Sequence, residues 1–200
     1  AGCYNFENVE IPDSVTSIED YAFAYCQSID TAYFPNCVSI GQYAFACETL
    51  SSTGLVRRPI INNFNFQNCE YIGPYAFSHR DLNIKSIDHN TFPRLTTIGD
   101  RAFYYTSTIK TVDLSRCTSI GEAAFYWCYI TNVSLCNITS LPSCTFLGCS
   151  LSTVFIPNCI SIGERCFEDN YYLPSINFPR CEFLGSGAFS QCSRLTEVDL

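Results

Sequence analysis

SIGQYAF at residues 39–45 and SIGEAAF at 119–125 decide how this chain is read, because one seven-residue phrase returns along its whole length. It occurs as SIEDYAF (17–23), SIGQYAF (39–45), YIGPYAF (71–77), TIGDRAF (97–103), SIGEAAF (119–125), SLPSCTF (140–146), SIGERCF (161–167) and FLGSGAF (183–189). The closing aromatics are Phe23, Phe45, Phe77, Phe103, Phe125, Phe146, Phe167 and Phe189, and their spacing centres on 22 residues. A period of this size marks a repeat architecture, in which a unit buries its apolar face only by stacking on the next.

A second register accompanies the phrase. An apolar-x-apolar pair ends six residues before the Ile or Leu of every phrase after the first, at Phe34, Phe66, Phe92, Leu114, Leu135, Ile156 and Phe178, with Ile11 one residue further out before the first. Two residues upstream stand Val9, Ala32, Phe64, Asn90, Val112, Val133, Val154, Ile176 and Val198. Such alternation reads as a half-buried strand. A further apolar anchor precedes each pair: Ile29, Ile61, Ile87, Ile109, Ile130, Leu151, Leu173 and Leu195. The expected fold is a repeat solenoid, a leucine-rich-repeat-like right-handed β/α (β/3-10) horseshoe with one short parallel strand per repeat of about 22 residues. The phrase's Gly is expected to provide a permissive turn angle. Residues 1–200 read as one solenoid of about eight repeats, truncated or uncapped at the C-terminus, with insertions near 47–60 and 78–86. The first insertion contains Ser51, Ser52, Thr53, Gly54, Arg57, Arg58 and Pro59, and the second His79, Arg80 and Asp81.

PNCVSIGQYAFACETL (35–50) and SRCTSIGEAAFYWC (115–128) resemble the BspA-like, or treponemal-type, leucine-rich repeats, and the resemblance covers nearly the whole chain. It implies a secreted or surface-displayed protein, since members of that family are typically found on bacteria and some parasitic protists, where several act as adhesins. The sequence departs from the family pattern at SLPSCTF, where Pro142 replaces Gly, and at the two lengthened units.

The composition narrows the function classes. Nineteen acidic against eleven basic residues give a net charge of −8, which disfavours nucleic acid and anionic lipid as partners. A 47% hydrophobic and 15% aromatic content argues against a disordered chain. No apolar run reaches spanning length, so direct membrane insertion is not expected. The chain opens on Ala1 and contains no Met, as a processed or trimmed product does. There is no C-x-x-C, P-loop, G-x-G-x-x-G or G-x-S-x-G, and the two histidines, His79 and His89, lie in an insertion and at an expected outward strand position. No catalytic, metal-ligating or cofactor-binding residue is therefore nominated.

Fourteen cysteines recur at fixed places. Neighbouring rungs put Cys26 with Cys47, Cys37 with Cys69, Cys128 with Cys149 and Cys159 with Cys181 within disulfide reach. The alternative is a set of buried thiols acting as small apolar groups, because Leu95 and Ile138 fill the same rung elsewhere.

The strand face is the expected contact surface. Its candidate ligand residues are Tyr33, Asn65, Thr91, Asp113, Phe155, Asn177 and Asp199. Asn132 and Asn137 head N-glycosylation tripeptides. Val198 and Leu200 sit on a final strand with nothing after it, an edge suited to end-to-end assembly. The leading expectation is a non-enzymatic, extracellular or cell-surface module that binds proteins or glycans. The alternative is a structural subunit of an extracellular filament that self-associates head to tail.

Overall fold

The computed structural model describes residues 7–47 and 60–199. Cys3, Tyr4 and Phe6, most of the first insertion, and Leu200 lie outside the described residues. In chain order the strands begin with β1 (Asn8–Glu10), β2 (Ser17–Ile18), β3 (Thr31–Tyr33), β4 (Ser39–Ile40), β5 (Ile60–Ile61), β6 (Asn63–Asn65), β7 (Tyr71–Ile72), β8 (Asp81–Leu82), β9 (Ser86–Ile87) and β10 (Thr97–Ile98). They continue with β11 (Thr111–Asp113), β12 (Ser119–Ile120), β13 (Asn132–Ser134), β14 (Ser140–Leu141), β15 (Thr153–Phe155), β16 (Ser161–Ile162), β17 (Ser175–Asn177), β18 (Phe183–Leu184) and β19 (Glu197–Asp199). All the pairings are parallel, and they join equivalent positions of successive repeats.

The expected strand is present, and a second, two-residue strand accompanies it in each phrase. The longer strands, joined by the two-residue β9, form three ladders, β1-β3-β6, β9-β11-β13-β15 and β17-β19. The two-residue phrase strands form β2-β4-β7-β10-β12 and β14-β16-β18, while β5 pairs with β8. Pro142 accounts for the gap between β12 and β14. At its position Gly41, Gly73, Gly99, Gly121, Gly163 and Gly185 donate N–H to the preceding repeat's carbonyl at 2.7–2.8 Å. Proline has no N–H to give Ile120.

No helix forms among the described residues; the third wall is a run of turns. Its backbone N–H groups alternate in direction. Ala22, Ala24 and Cys26 donate within the repeat, whereas Tyr21, Phe23 and Tyr25 donate to Gln42, Ala44 and Ala46 of the next. Every second peptide must therefore turn outward, which a helix does not allow. Left-handed angles achieve this at two columns, one running through Tyr21, Tyr43, Tyr75, Arg101, Ala123, Cys144 and Arg165 and the other through Tyr25, His79, Tyr105, Trp127, Asp169 and Gln191.

The expected role of the phrase glycine is corrected by these angles. Among the described residues, Gly148 and Gly187 are the glycines with positive φ, so Gly41, Gly73, Gly99, Gly121, Gly163 and Gly185 are not there for a turn angle. They permit close approach: a Cβ on Gly121 would lie 2.3 Å from the Asp100 nitrogen, and one on Gly99 2.6 Å from that of Pro74. The left-handed residue stands two positions later.

The repeat that follows Phe77 is also threaded differently from expectation. Leu82, not Ile87, pairs with Ile61 as the anchor, and Ile87 pairs with Val112 as the inner strand residue. Asn90, Thr91 and His89 therefore leave the strand and form a turn in which Asp88 Oδ1 accepts the N–H groups of Asn90 (2.8 Å) and Thr91 (3.1 Å). The polar Asn90 in an otherwise apolar column was the legible sign of this shift.

Between the walls runs a phenylalanine spine. Phe23, Phe45, Phe77, Phe103, Phe125, Phe146, Phe167 and Phe189 stack at centroid spacings of 5.3–5.8 Å, their planes nearly parallel. Phe34, Phe66 and Phe92 make a second, shorter stack. Each fully buried ring contributes roughly 1.5–3 kcal/mol by desolvation.

Candidate ligand-binding face

The outward residues of the longer strands align across the repeats. Glu10, Tyr33 and Asn65 are register partners, as are Asp113, Ser134 and Phe155, and Asn177 with Asp199. Beside them run Asn8, Thr31 and Asn63, then Thr111, Asn132 and Thr153. Tyr33 is 48% exposed and Phe155 58%, two of several aromatic side chains that this chain presents to solvent. Both project from a polar surface.

The ladder is interrupted twice, between β6 and β9 and between β15 and β17. A cleft occupies each interruption. The first, of about 430 Å³, is lined by Tyr33, Asn62, Asn63, Gln67, Asn90 and Thr91 among others. It exists because the turn at Asp88 draws the chain out of the ladder. Its amides are held in place: Asn62 Nδ2 donates to Asp30 Oδ1 at 2.5 Å and Asn63 Nδ2 to Asp30 Oδ2 at 3.4 Å, while Gln67 Nε2 reaches the Asn90 carbonyl at 3.1 Å. The second cleft, of about 320 Å³, is lined by Val154, Phe155, Pro157, Asn177 and Pro179. Here Asn177 Nδ2 donates to Asp199 Oδ2 at 2.9 Å.

The structure thus brings Tyr33 together with Thr91, and Phe155 with Asn177. Asp113 lies exposed between the clefts, Asp199 serves as the partner of Asn177, and half-buried Asn65 accepts the Gln67 N–H at 3.1 Å. Thr91 reaches the face from a turn rather than from a strand, with its hydroxyl accepting the Asp88 N–H at 2.9 Å.

The described cysteines are all thiols. The pairs considered for bridging do face one another across repeats, since Cys37 acts electrostatically on Cys69, Cys128 on Cys149, Cys181 on Cys159 and Cys26 on Cys47. No disulfide joins them; the Sγ atoms are turned to backbone carbonyls instead. Cys37, Cys69, Cys117, Cys159 and Cys181 donate to the carbonyl two residues on, at 3.1–3.4 Å. Cys128, Cys149 and Cys192 donate to Phe103, Phe125 and Phe167 of the previous repeat at 3.0–3.3 Å. Burial pushes the Cys117 and Cys159 thiols up to about 11, lifts Cys69 and Cys166 further, and raises Cys149 well above its ordinary value. Thiols this reluctant to ionise make poor nucleophiles. Among the described residues, no group of three or more His, Cys, Asp or Glu is arranged to hold a metal ion.

Two features escape the sequence reading. The column three residues after the spine phenylalanine is a donor column: Thr106, Asn170 and Arg80 take the cysteine's place and bond Phe77 O (3.4 Å), Phe146 O (2.8 Å) and Phe45 O (3.0 Å). The chemically mixed set Cys, Thr, Asn and Arg was the available signal. The other feature is an aromatic ladder on the turn wall. Tyr21, Tyr43 and Tyr75 stack at 5.0 and 4.5 Å, with the Arg101 guanidinium over Tyr75. His79, Tyr105 and Trp127 stack beside them, and Trp127 lies over Gly148. Internal ring faces are covered by neighbouring rings, so this ladder acts mainly as packing between repeats.

Asn132 is half-buried, with Nδ2 donating to Thr131 Oγ1 at 2.9 Å and Oδ1 accepting from Thr153. Asn137 is exposed, and its Nδ2 donates to the Ser115 carbonyl. Val198 is 46% exposed on β19. No helix among the described residues is long and apolar enough to cross a membrane.

The family model described as BspA type leucine-rich repeat region matches in six copies, over residues 1–116 and 96–200. No curated protein matches. Among solved structures, the chain is similar to a leucine-rich-repeat protein from Bacteroides ovatus, with a TM-score of 0.62, 24% identity, and coverage of 97% of this chain and 61% of that one. It is likewise similar to a leucine-rich cell surface protein from Faecalibacterium prausnitzii, with a TM-score of 0.59, 22% identity, and coverage of 98% and 60%. The chain therefore spans about three-fifths of the length of either. At these identities the likeness concerns the fold, and the family follows from the repeats themselves: the chain belongs to the BspA-type leucine-rich-repeat family.

Proposed function

We propose that the chain is an extracellular or cell-surface binding module that works by recognition rather than by catalysis, with the face of its longer strands as the contact surface. The observation that carries this reading is the pair of clefts in that face, each beside an aromatic ring that is about half exposed, Tyr33 or Phe155. Buried, protonated thiols provide no activated nucleophile. The clefts instead provide fixed polar groups beside apolar area, the combination that small-ligand and interface anchor sites use. The surface setting is supported by the family and by the cell-surface protein of Faecalibacterium prausnitzii, whose fold this chain shares.

Solid-phase binding to a panel of immobilised matrix proteins and polysaccharides tests the reading. Tyr33→Asp, Asp113→Arg and Phe155→Asp, combined, are expected to reduce retained binding at least tenfold, whereas Tyr21→Ala on the turn wall leaves it within twofold. Equal loss from the turn-wall variant, or no loss from the triple variant, would overturn the choice of face.

A further inference from the structure

We infer that the two clefts form paired subsites for one neutral, extended saccharide chain, an inference that rests on the strand-face reading above and gives it a ligand class. The clefts share a constellation that neither the repeat nor the family dictates. In each, an exposed aromatic ring stands beside an asparagine whose amide N–H is held by a carboxylate: Asn62 and Asn63 by Asp30, and Asn177 by Asp199. With the nitrogen side engaged, each amide offers its oxygen as a fixed acceptor. Fixed acceptors select hydroxyl donors, and a flat ring accommodates the apolar C–H face of a sugar.

Charge separates the candidate ligands. None of the described residues lining either cleft is charged. The stretch between them presents Thr111, Asp113, Asn132, Ser134 and Thr153, with Asp113 as its single charge, in a chain of net charge −8. Along these described residues an anionic glycan would meet repulsion and no cationic partner. A neutral saccharide meets hydroxyl and amide groups in the first cleft and along the stretch between, and the Asn177 amide beside apolar area in the second.

The spacing sets the ligand's length. Four rung spacings separate the clefts, roughly 19 Å at about 4.8 Å per strand. A chain long enough to enter both gains from the effective concentration of its second contact, while a short fragment occupies one cleft alone.

The test is calorimetry of the unmodified chain against mannan, β-glucan and galactan and their disaccharide and hexasaccharide or longer fragments, with heparin and collagen as anionic and protein probes. At least one neutral polysaccharide is expected to bind. Its long fragments should bind tenfold or more tighter than its disaccharide, and Tyr33→Ala and Phe155→Ala should each remove that gain. Both rings are exposed, so the variants are expected to keep the parent's thermal midpoint. Asn177→Leu, of similar size but without the amide oxygen, serves as a second probe of the acceptor and should weaken binding similarly. Heparin preferred over every neutral chain, or affinity within twofold in all three variants, would overturn the inference. Collagen binding that is lost in the strand-face variants, with no polysaccharide bound, would refute the saccharide class while leaving the strand face standing. Binding that the variants leave untouched would remove both.

Discussion

Gly121 and Ala123 stand two residues apart and obey opposite steric rules. A methyl group on Gly121 would sit 2.3 Å from the Asp100 nitrogen, a backbone atom that cannot move aside without breaking the ladder. Gly121→Ala is therefore expected to cost about 2–3 kcal/mol, as overpacked sites do. Ala123 already carries a Cβ at φ 53°, a conformation that costs an L-residue about 1–2 kcal/mol. Removing that Cβ relieves the strain but adds about 0.5–1 kcal/mol of backbone entropy. Ala123→Gly is thus expected to be neutral or to stabilise by up to about 1 kcal/mol. Urea unfolding of the two variants checks both directions.

At the scale of the element, the turn wall is held by what stands three residues beyond each spine phenylalanine. Asn170 is fully buried there, with Nδ2 donating to Phe146 O at 2.8 Å and Phe167 O at 2.9 Å while Oδ1 accepts the Leu151 N–H at 3.1 Å. Arg80, equally buried, reaches further, binding Phe45 O at 3.0 Å and Cys26 O at 2.6 Å and so tying three repeats together. Asn170→Leu strands polar groups in the interior and is expected to cost about 3 kcal/mol. Cys166 occupies a column that holds Ala in most repeats, so Cys166→Ala should cost about 1 kcal/mol or less. Thermal denaturation of the pair separates a donor position from a filler position; similar losses would show that hydrogen bonding is not what the column selects.

For the molecule as a whole, the buried thiols link stability to alkaline pH. An unfolded cysteine ionises near its ordinary value of 9.0, whereas folded Cys117 and Cys159 hold their protons to about 11, Cys69 and Cys166 beyond that, and Cys149 well above 9.0. Above pH 9 the unfolded chain binds fewer protons than the folded one, so stability falls as pH rises. Well below pH 9 the contribution is fully present. The loss is up to about 1.4 kcal/mol per thiol per pH unit. Urea midpoints at pH 7, 9 and 10 are expected to drop less between 7 and 9, where the unfolded thiols become half ionised, than between 9 and 10, and a flat profile would mean that these cysteines do not carry titratable thiols. Because each repeat contacts only its neighbours, the loss is expected wherever the thiols lie along the stack rather than at one centre.

By itself the sequence determined the repeat, the inward apolar columns and the parallel strand, because a 22-residue period of Ile, Ala and Phe has one economical way to leave water. It also put Tyr33 and Phe155 on the exposed side, since period-2 alternation assigns faces without reference to the rest of the fold. What only the tertiary structure decided lies between repeats. Whether Gly121 serves a turn angle or a close approach depends on the distance to Asp100, which no single repeat encodes. Whether Ile87 is an anchor or a strand residue depends on which partner it meets, and Val112 settles it. The clefts arise where the ladder fails, and that failure is a property of neighbouring strands. The clamps on Asn62 by Asp30 and on Asn177 by Asp199 span 32 and 22 residues, and stacking alone brings those partners together.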